Sequence, residues 1–286
     1  MTVSSAGAAA FLRKPLPARF CNLDRLLQAL KARGLDGIVA TVPNNVFYLT
    51  GFNAIAHKSD EPRVCAVVLS RHAPDHPIVV VADYYLATFL TQETWVEDIR
   101  PFRAVMLALD LPAKSADIDR FIPLQARGTP WIENAREQYT FDMTTALKGA
   151  LTELKLDRAK VAFDDYGFGL RLGLERATVA DGYDPMMFAR SIKTPAELDL
   201  LRRATSLNQM AIGKTVASWE KGTTWRDLNI AYARSVAELG GFVRDPGGHG
   251  VGTPTRHRAD DYALDRVRGQ RSGGRNACYV RLPRDH

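Results

Sequence analysis

Chemistry at neutral pH would fall to six histidines, three cysteines and the acidic side chains, and their placement is uneven. Glu238 is the last glutamate in the 286-residue chain. Beyond it stand His249 in "GGHGVG", His257 closing "GVGTPTRH", and a final stretch, "LDRVRGQRSGGRNACYVRLPRDH" (264–286), with six arginines and no lysine or glutamate. An imidazole with a pKa of about 6.5 can pass protons near neutral pH. A lone histidine in a polar loop is ordinarily just solvated, and His257 stays open between the two. His249 lies among glycines that could cradle an anion. No "GK[ST]" follows and no clear strand precedes, so those glycines are read as loop geometry and not as a nucleotide loop. His57, His72 and His76 are expected in turns of the first part of the chain. Cys21, Cys65 and Cys278 are odd in number, far apart and free of any CxxC, which argues against a disulfide framework or a zinc cluster and suits a reducing compartment, taken as the cytoplasm.

The elements that must position these groups are legible from periodicity. Residues 1–20 form a loose arm. In "NLDRLLQALKARG", Leu23, Leu26, Leu27 and Leu30 make one apolar helical stripe, and Gly34 is a natural stop. "GIVAT" (37–41) predicts a short buried strand, and "NNVFYLTGF" a further strand running into a glycine turn. "VCAVVLS" (64–70) and "PIVVVA" (77–82) predict two strands joined by "RHAPDH" as a hairpin-like connection. Helical patterns near 83–92 and 142–154 and a strand in "KVAFDD" (160–165) continue the alternation, which predicts a sheet covered by helices. "DGYDPMMFARS" reads as a connection into a long helix, with Thr194 as N-cap, Pro195 at the first helical position and Glu197 completing a capping box. After "EKGTT" a second helix places Leu228, Tyr232, Val236 and Leu239 on one face.

Composition narrows the function classes. With 46% hydrophobic and 24% charged residues the chain reads as a soluble globular protein. The N-terminus has no basic residue before its short apolar run, and no later segment reaches about eighteen apolar residues, so no membrane partner is expected. The charge of +6 invites a nucleic-acid reading. Residues 256–286, however, hold eight Arg against four Asp, which leaves 30 basic and 28 acidic side chains before them. A nearly neutral body does not present a phosphate-binding face, so no nucleic acid is expected.

Three stretches carry a resemblance. "RLLQALKARGLDGIVATVPNNVFYLTGF" (25–52), "RSIKTPAELDLLRRATSLNQMAI" (190–212) and "KGTTWRDL" (221–228) stand in the order and at the spacing found in the creatinase / aminopeptidase P / prolidase family of two-domain "pita-bread" hydrolases. The chain is identified as similar to that family over residues 22–240. The resemblance implies an α/β fold. A creatinase-type mixed-sheet domain over 21–186 would be followed by an incomplete pita-bread α+β domain over 187–265 and an aberrant Arg-rich tail over 266–286. Each of the three stretches is a packing or capping motif, and fold does not confer chemistry.

The resemblance also implies a reaction and its groups. Peptidases of the family hold two divalent metals (manganese, cobalt or zinc) with two Asp, one His and two Glu, and a metal-bound water attacks the scissile carbonyl. The first of those aspartates belongs on a strand where this chain has "DYALDRVRGQRSGG". Leu264 fits that pattern and the Arg-dense residues after it do not. No cofactor or metal ligand is therefore assigned in this chain, and the chain is expected to be inactive. The tail is expected to reflect a shifted reading frame or a truncation, with a natural divergent C-terminus as the alternative. By resemblance His257 would contact the substrate or transfer a proton, and His57, after "TGFNAIA", would border the substrate; a surface histidine is the bland reading of each. Full-length relatives would act on a small peptide N-terminal to proline or on a small amidine-like substrate, in a fold that admits a homodimer. The alternative function is a non-catalytic peptide- or protein-binding module.

Overall fold

A computed structural model describes residues 19–52, 65–89, 92, 94–104, 122 and 128–241, together with the residue pairs 250–251 and 279–280. His57, His249, His257, Leu264 and nearly all of the arginine-rich tail lie outside the described residues. The described chain groups into two compact units, one ending at Asp199 and one beginning at Leu200.

The first unit is built on a six-stranded mixed sheet with the order β4-β3-β2-β1-β5-β6. Its strands are β1 (Gly37–Ala40), β2 (Cys65–Ser70), β3 (Ala73–Ala82), β4 (Asp98–Phe102), β5 (Lys160–Phe163) and β6 (Thr178–Asp181). Only β2 runs against the others: it is antiparallel to β1 and β3, while β3–β4, β1–β5 and β5–β6 are parallel. Every residue of β1 and β2 is buried. That is why both read as unbroken apolar runs without period-two alternation, the pattern of a sheet covered on both faces. The helices are α1 (Leu23–Ala32), α2 (Pro43–Thr50), α3 (Leu86–Phe89), α4 (Pro130–Glu137), α5 (Met143–Glu153), α6 (Tyr166–Arg171) and α7 (Tyr183–Ser191). Helix α1 packs on α7, α4 on β4, and α5 on β2, β3 and β4. The α1 stripe is buried at Leu23, Leu26, Ala29 and Leu30, and Gly34, at φ 61°, ends it.

Four sequence expectations are corrected. The segment 43–50 is helix α2, not a strand: Pro43 stands in its first turn and Gly51 closes it at φ 77°. Its aromatic and β-branched residues have strand propensity, but burial of Val46, Tyr48, Leu49 and Thr50 around most of the helix overrides it. The β2–β3 connection is only Arg71–His72, because β3 begins at Ala73 and absorbs the polar residues up to His76. His76 is thus a strand residue and not a turn residue. The helical pattern near 83–92 yields a 3₁₀ turn (Asp83–Tyr85) and the single turn α3. The connection before Thr194 contains α7, which Pro185 does not interrupt because it lies in the first turn, where its missing N–H has no intrahelical partner to lose.

Helix α8 (Pro195–Ala217) starts as the sequence predicts. The Thr194 backbone N donates to Glu197 Oε2 at 2.9 Å, and the Glu197 backbone N donates to Thr194 Oγ1 at 3.1 Å, a closed capping box. The segment before it is tied down: Asn22 Nδ2 donates to the Ile192 carbonyl at 3.1 Å and Thr194 Oγ1 to the Phe20 carbonyl at 2.8 Å.

The second unit contains the rest of α8 and α9 (Trp225–Glu238), which carries its own capping box between Thr224 and Asp227. The two helices are joined by a Tyr232 Oη hydrogen bond to Asn208 Oδ1 at 2.7 Å and by the Lys214–Glu238 ion pair at 3.0 Å. Leu228 and Val236 are buried, whereas Leu201, Trp219 and Ile230 are exposed. Gly250–Val251 (β7) and Tyr279–Val280 (β8) pair in parallel.

Candidate functional site

The described residues bring one set of chemistry-bearing side chains together, where β3 and β4 begin. In β4, Asp98 and Arg100 are two residues apart and so project to the same face of the sheet. Ile78 of β3 is in register with Asp98, and His76, two residues earlier, shares its face. Helix α5 lies over β3 and β4 and ends at Glu153, which carries that carboxylate to the same place. His76 Nε2 is 3.2 Å from Asp98 Oδ2 and 3.5 Å from Glu153 Oε1. Asn134 of α4 adds an Nδ2 hydrogen bond to Asp98 Oδ1 at 3.2 Å.

Arg100 decides what this arrangement can do. Its Nε donates to Asp98 Oδ1 at 3.1 Å, and its Nη2 donates to Asp98 Oδ2 at 2.8 Å and also to Glu153 Oε2. Burial works against the charged guanidinium, but the hydrogen bonds and charge of Asp98, then of Glu153, outweigh it and hold the pKa above the usual arginine range. His76, Asp98 and Glu153 offer ligand atoms within 4.8 Å of one another, the only such group among the described residues. As a metal centre the set fits poorly: a divalent ion would have to share both carboxylates with a guanidinium already bonded to them. Nor does it supply the two Asp, one His and two Glu of a two-metal hydrolase. The chemistry of the cluster is that of a clasp, joining the end of α5 to the sheet edge.

A second polar node lies past the C-terminal ends of β1 and β5. Parallel sheets commonly receive anionic ligands at such a place, often on a helix N-terminus. Here the chain supplies its own anion. Asp164 accepts from the Thr41 backbone N (2.8 Å), Thr41 Oγ1 (3.1 Å), the Val42 backbone N (2.9 Å) and Asn45 Nδ2 (2.9 Å). Val42, the N-cap residue of α2, has no capping side chain of its own. Asn45 Oδ1 in turn accepts from Arg190 Nη1 of α7 at 3.0 Å. The helix end is therefore capped from a residue just past β5, more than a hundred positions away, and the anion position is filled.

Other groups are quiet. The Cys21 thiol is pushed up to about 11, chiefly by burial, and burial also pushes Cys65 up, so neither is a thiolate nucleophile near neutral pH. A shallow cavity of about 260 Å³ beside Lys148, Thr152, Asp157, Glu175 and Arg176 mixes both charge signs. His72 bonds Asp36 at 3.2 Å on the exposed β2–β3 turn. The sequence-predicted candidates, His57 and His257, lie outside the described residues. The grouping of His76 with Asp98, Arg100 and Glu153 does not follow from the sequence pattern. Its sole sequence signal is the D-x-R spacing in "DIRPF", a same-face acid–base pair that any surface strand could carry. No helix among the described residues is long and apolar enough to cross a membrane.

The creatinase/prolidase N-terminal domain family matches residues 22–172 of this chain. Among solved structures, the chain is similar to a recombinant prolidase from Thermococcus sibiricus, at 12% identity and a TM-score of 0.52, over 77% of this chain and 49% of that one. It is also similar to an X-Pro aminopeptidase from Thermotoga maritima MSB8, at 14% identity and a TM-score of 0.51, over 76% of this chain and 49% of that one. At those identities the likeness is one of fold. The chain spans about half the length of these structures. No curated protein matches it.

Proposed function

The chain belongs to the creatinase/prolidase N-terminal domain family, and on that premise we propose that it serves an Xaa-Pro peptidase or creatinase-like hydrolase as its N-terminal domain, with hydrolysis of the C–N bond carried by groups other than those described here. The observation that carries this reading is the family match over residues 22–172, which spans five of the six strands of the sheet and, Arg190 apart, both polar nodes. Those nodes are closed by the chain's own residues: Arg100 bonds both Asp98 and Glu153, and Asp164 caps α2. Their polar groups are largely spent on one another, so the role they fit is that of a scaffold.

In the peptidases of this family a pair of divalent ions supplies an acidified water for attack on the peptide carbonyl. By the resemblance those ions are held by two Asp, one His and two Glu, and no glutamate follows Glu238 in this sequence. We therefore assign no turnover to the 286-residue chain alone. The test is an assay of the purified chain with added manganese and an Xaa-Pro dipeptide. No release of proline above a no-protein control is expected. Turnover that a chelator abolishes would overturn the reading.

A further inference from the structure

We draw no further inference here: the strongest candidate, the His76–Asp98–Glu153 side-chain cluster where β3 and β4 begin, gathers three ligand types within 4.8 Å, but Arg100 already bonds both carboxylates and nothing independent in the structure points to an ion there.

Discussion

Arg100 grips Asp98 with two parallel hydrogen bonds, from Nε to Oδ1 at 3.1 Å and from Nη2 to Oδ2 at 2.8 Å, and both side chains are more than nine-tenths buried. A fork of this kind is stable only while both charges are present, because a carboxylate left alone in the interior keeps its desolvation cost without compensation. Arg100→Ala is expected to destabilise the fold by about 3–5 kcal/mol. Glu153→Gln, at the half-exposed end of the same cluster, should cost less than about 1 kcal/mol. Urea unfolding of the two variants checks the contrast. Equal losses would mean that the buried and exposed halves of the cluster do not differ as argued.

Asp164, just past the end of β5, caps α2. Its removal orphans the Val42 and Thr41 backbone N–H groups as well as the Asn45 amide. Loss of a cap costs about 0.5–2 kcal/mol, and Asp164→Ala should lie at or above the top of that range. Asp164→Asn, which still offers one acceptor oxygen, should recover part of the loss. If the alanine variant melts like the parent protein, the helix does not depend on this cap.

The carboxyls of Asp36 and Asp142 are held below their ordinary value of 3.8. For Asp36 the leading cause is the hydrogen bond from the Lys160 backbone N, followed by His72. For Asp142 it is the hydrogen bond from the Thr145 backbone N at the start of α5. Folded values below the unfolded ones mean stability that is fully present above the unfolded pKa and lost as pH falls through the folded one. The chain should therefore lose stability as pH drops below about 4. Asp142→Asn, which keeps a capping side chain but no charge, should flatten that decline by lowering stability near pH 7 and leaving it little changed at low pH. Denaturant midpoints measured from pH 7 down to pH 3 would show it. A variant whose curve parallels the parent throughout would remove Asp142 from the account.

Gly37 opens β1 against two neighbours. A Cβ there would stand 2.6 Å from Leu156 Cδ1 and 2.7 Å from the Leu69 carbonyl oxygen. The leucine could turn aside, but the carbonyl belongs to the paired strand β2. Overpacking of this kind costs about 1–3 kcal/mol, and Gly37→Ala should lower the thermal midpoint accordingly. An unchanged midpoint would show that β1 and β2 can separate there without loss.

Cys21 and Cys65 should resist alkylation. Both are buried, and burial raises both thiols well above neutral pH. Iodoacetamide at pH 8, followed by peptide mass analysis, should leave both unmodified in the native chain and label both in urea. Labelling of Cys65 under native conditions would contradict its place in the core strand β2.

Residues next to one another in the chain determined a good part of this protein. The stripe of Leu23, Leu26 and Leu30, the apolar runs of β1, β2 and β3, the α5 pattern and the Thr194–Glu197 capping box all follow from local periodicity and side-chain reach, and the three family-like stretches rest on the same features. Tertiary structure decided the rest. Helix α2 forms where strand propensity is high because tertiary packing buries Val46, Leu49 and Thr50 and because Asp164, 119 residues beyond Asn45, caps its first turn. The strands β4 (DIRPF) and β6 (TVAD) carry no unbroken apolar run and are set by register with β3 and β5. His76 meets Asp98 and Glu153 only because a parallel pairing and an overlying helix carry positions 76, 98 and 153 to one sheet edge. No spacing in the sequence encodes that meeting, since it depends on long-range pairing and not on the reach of neighbouring residues.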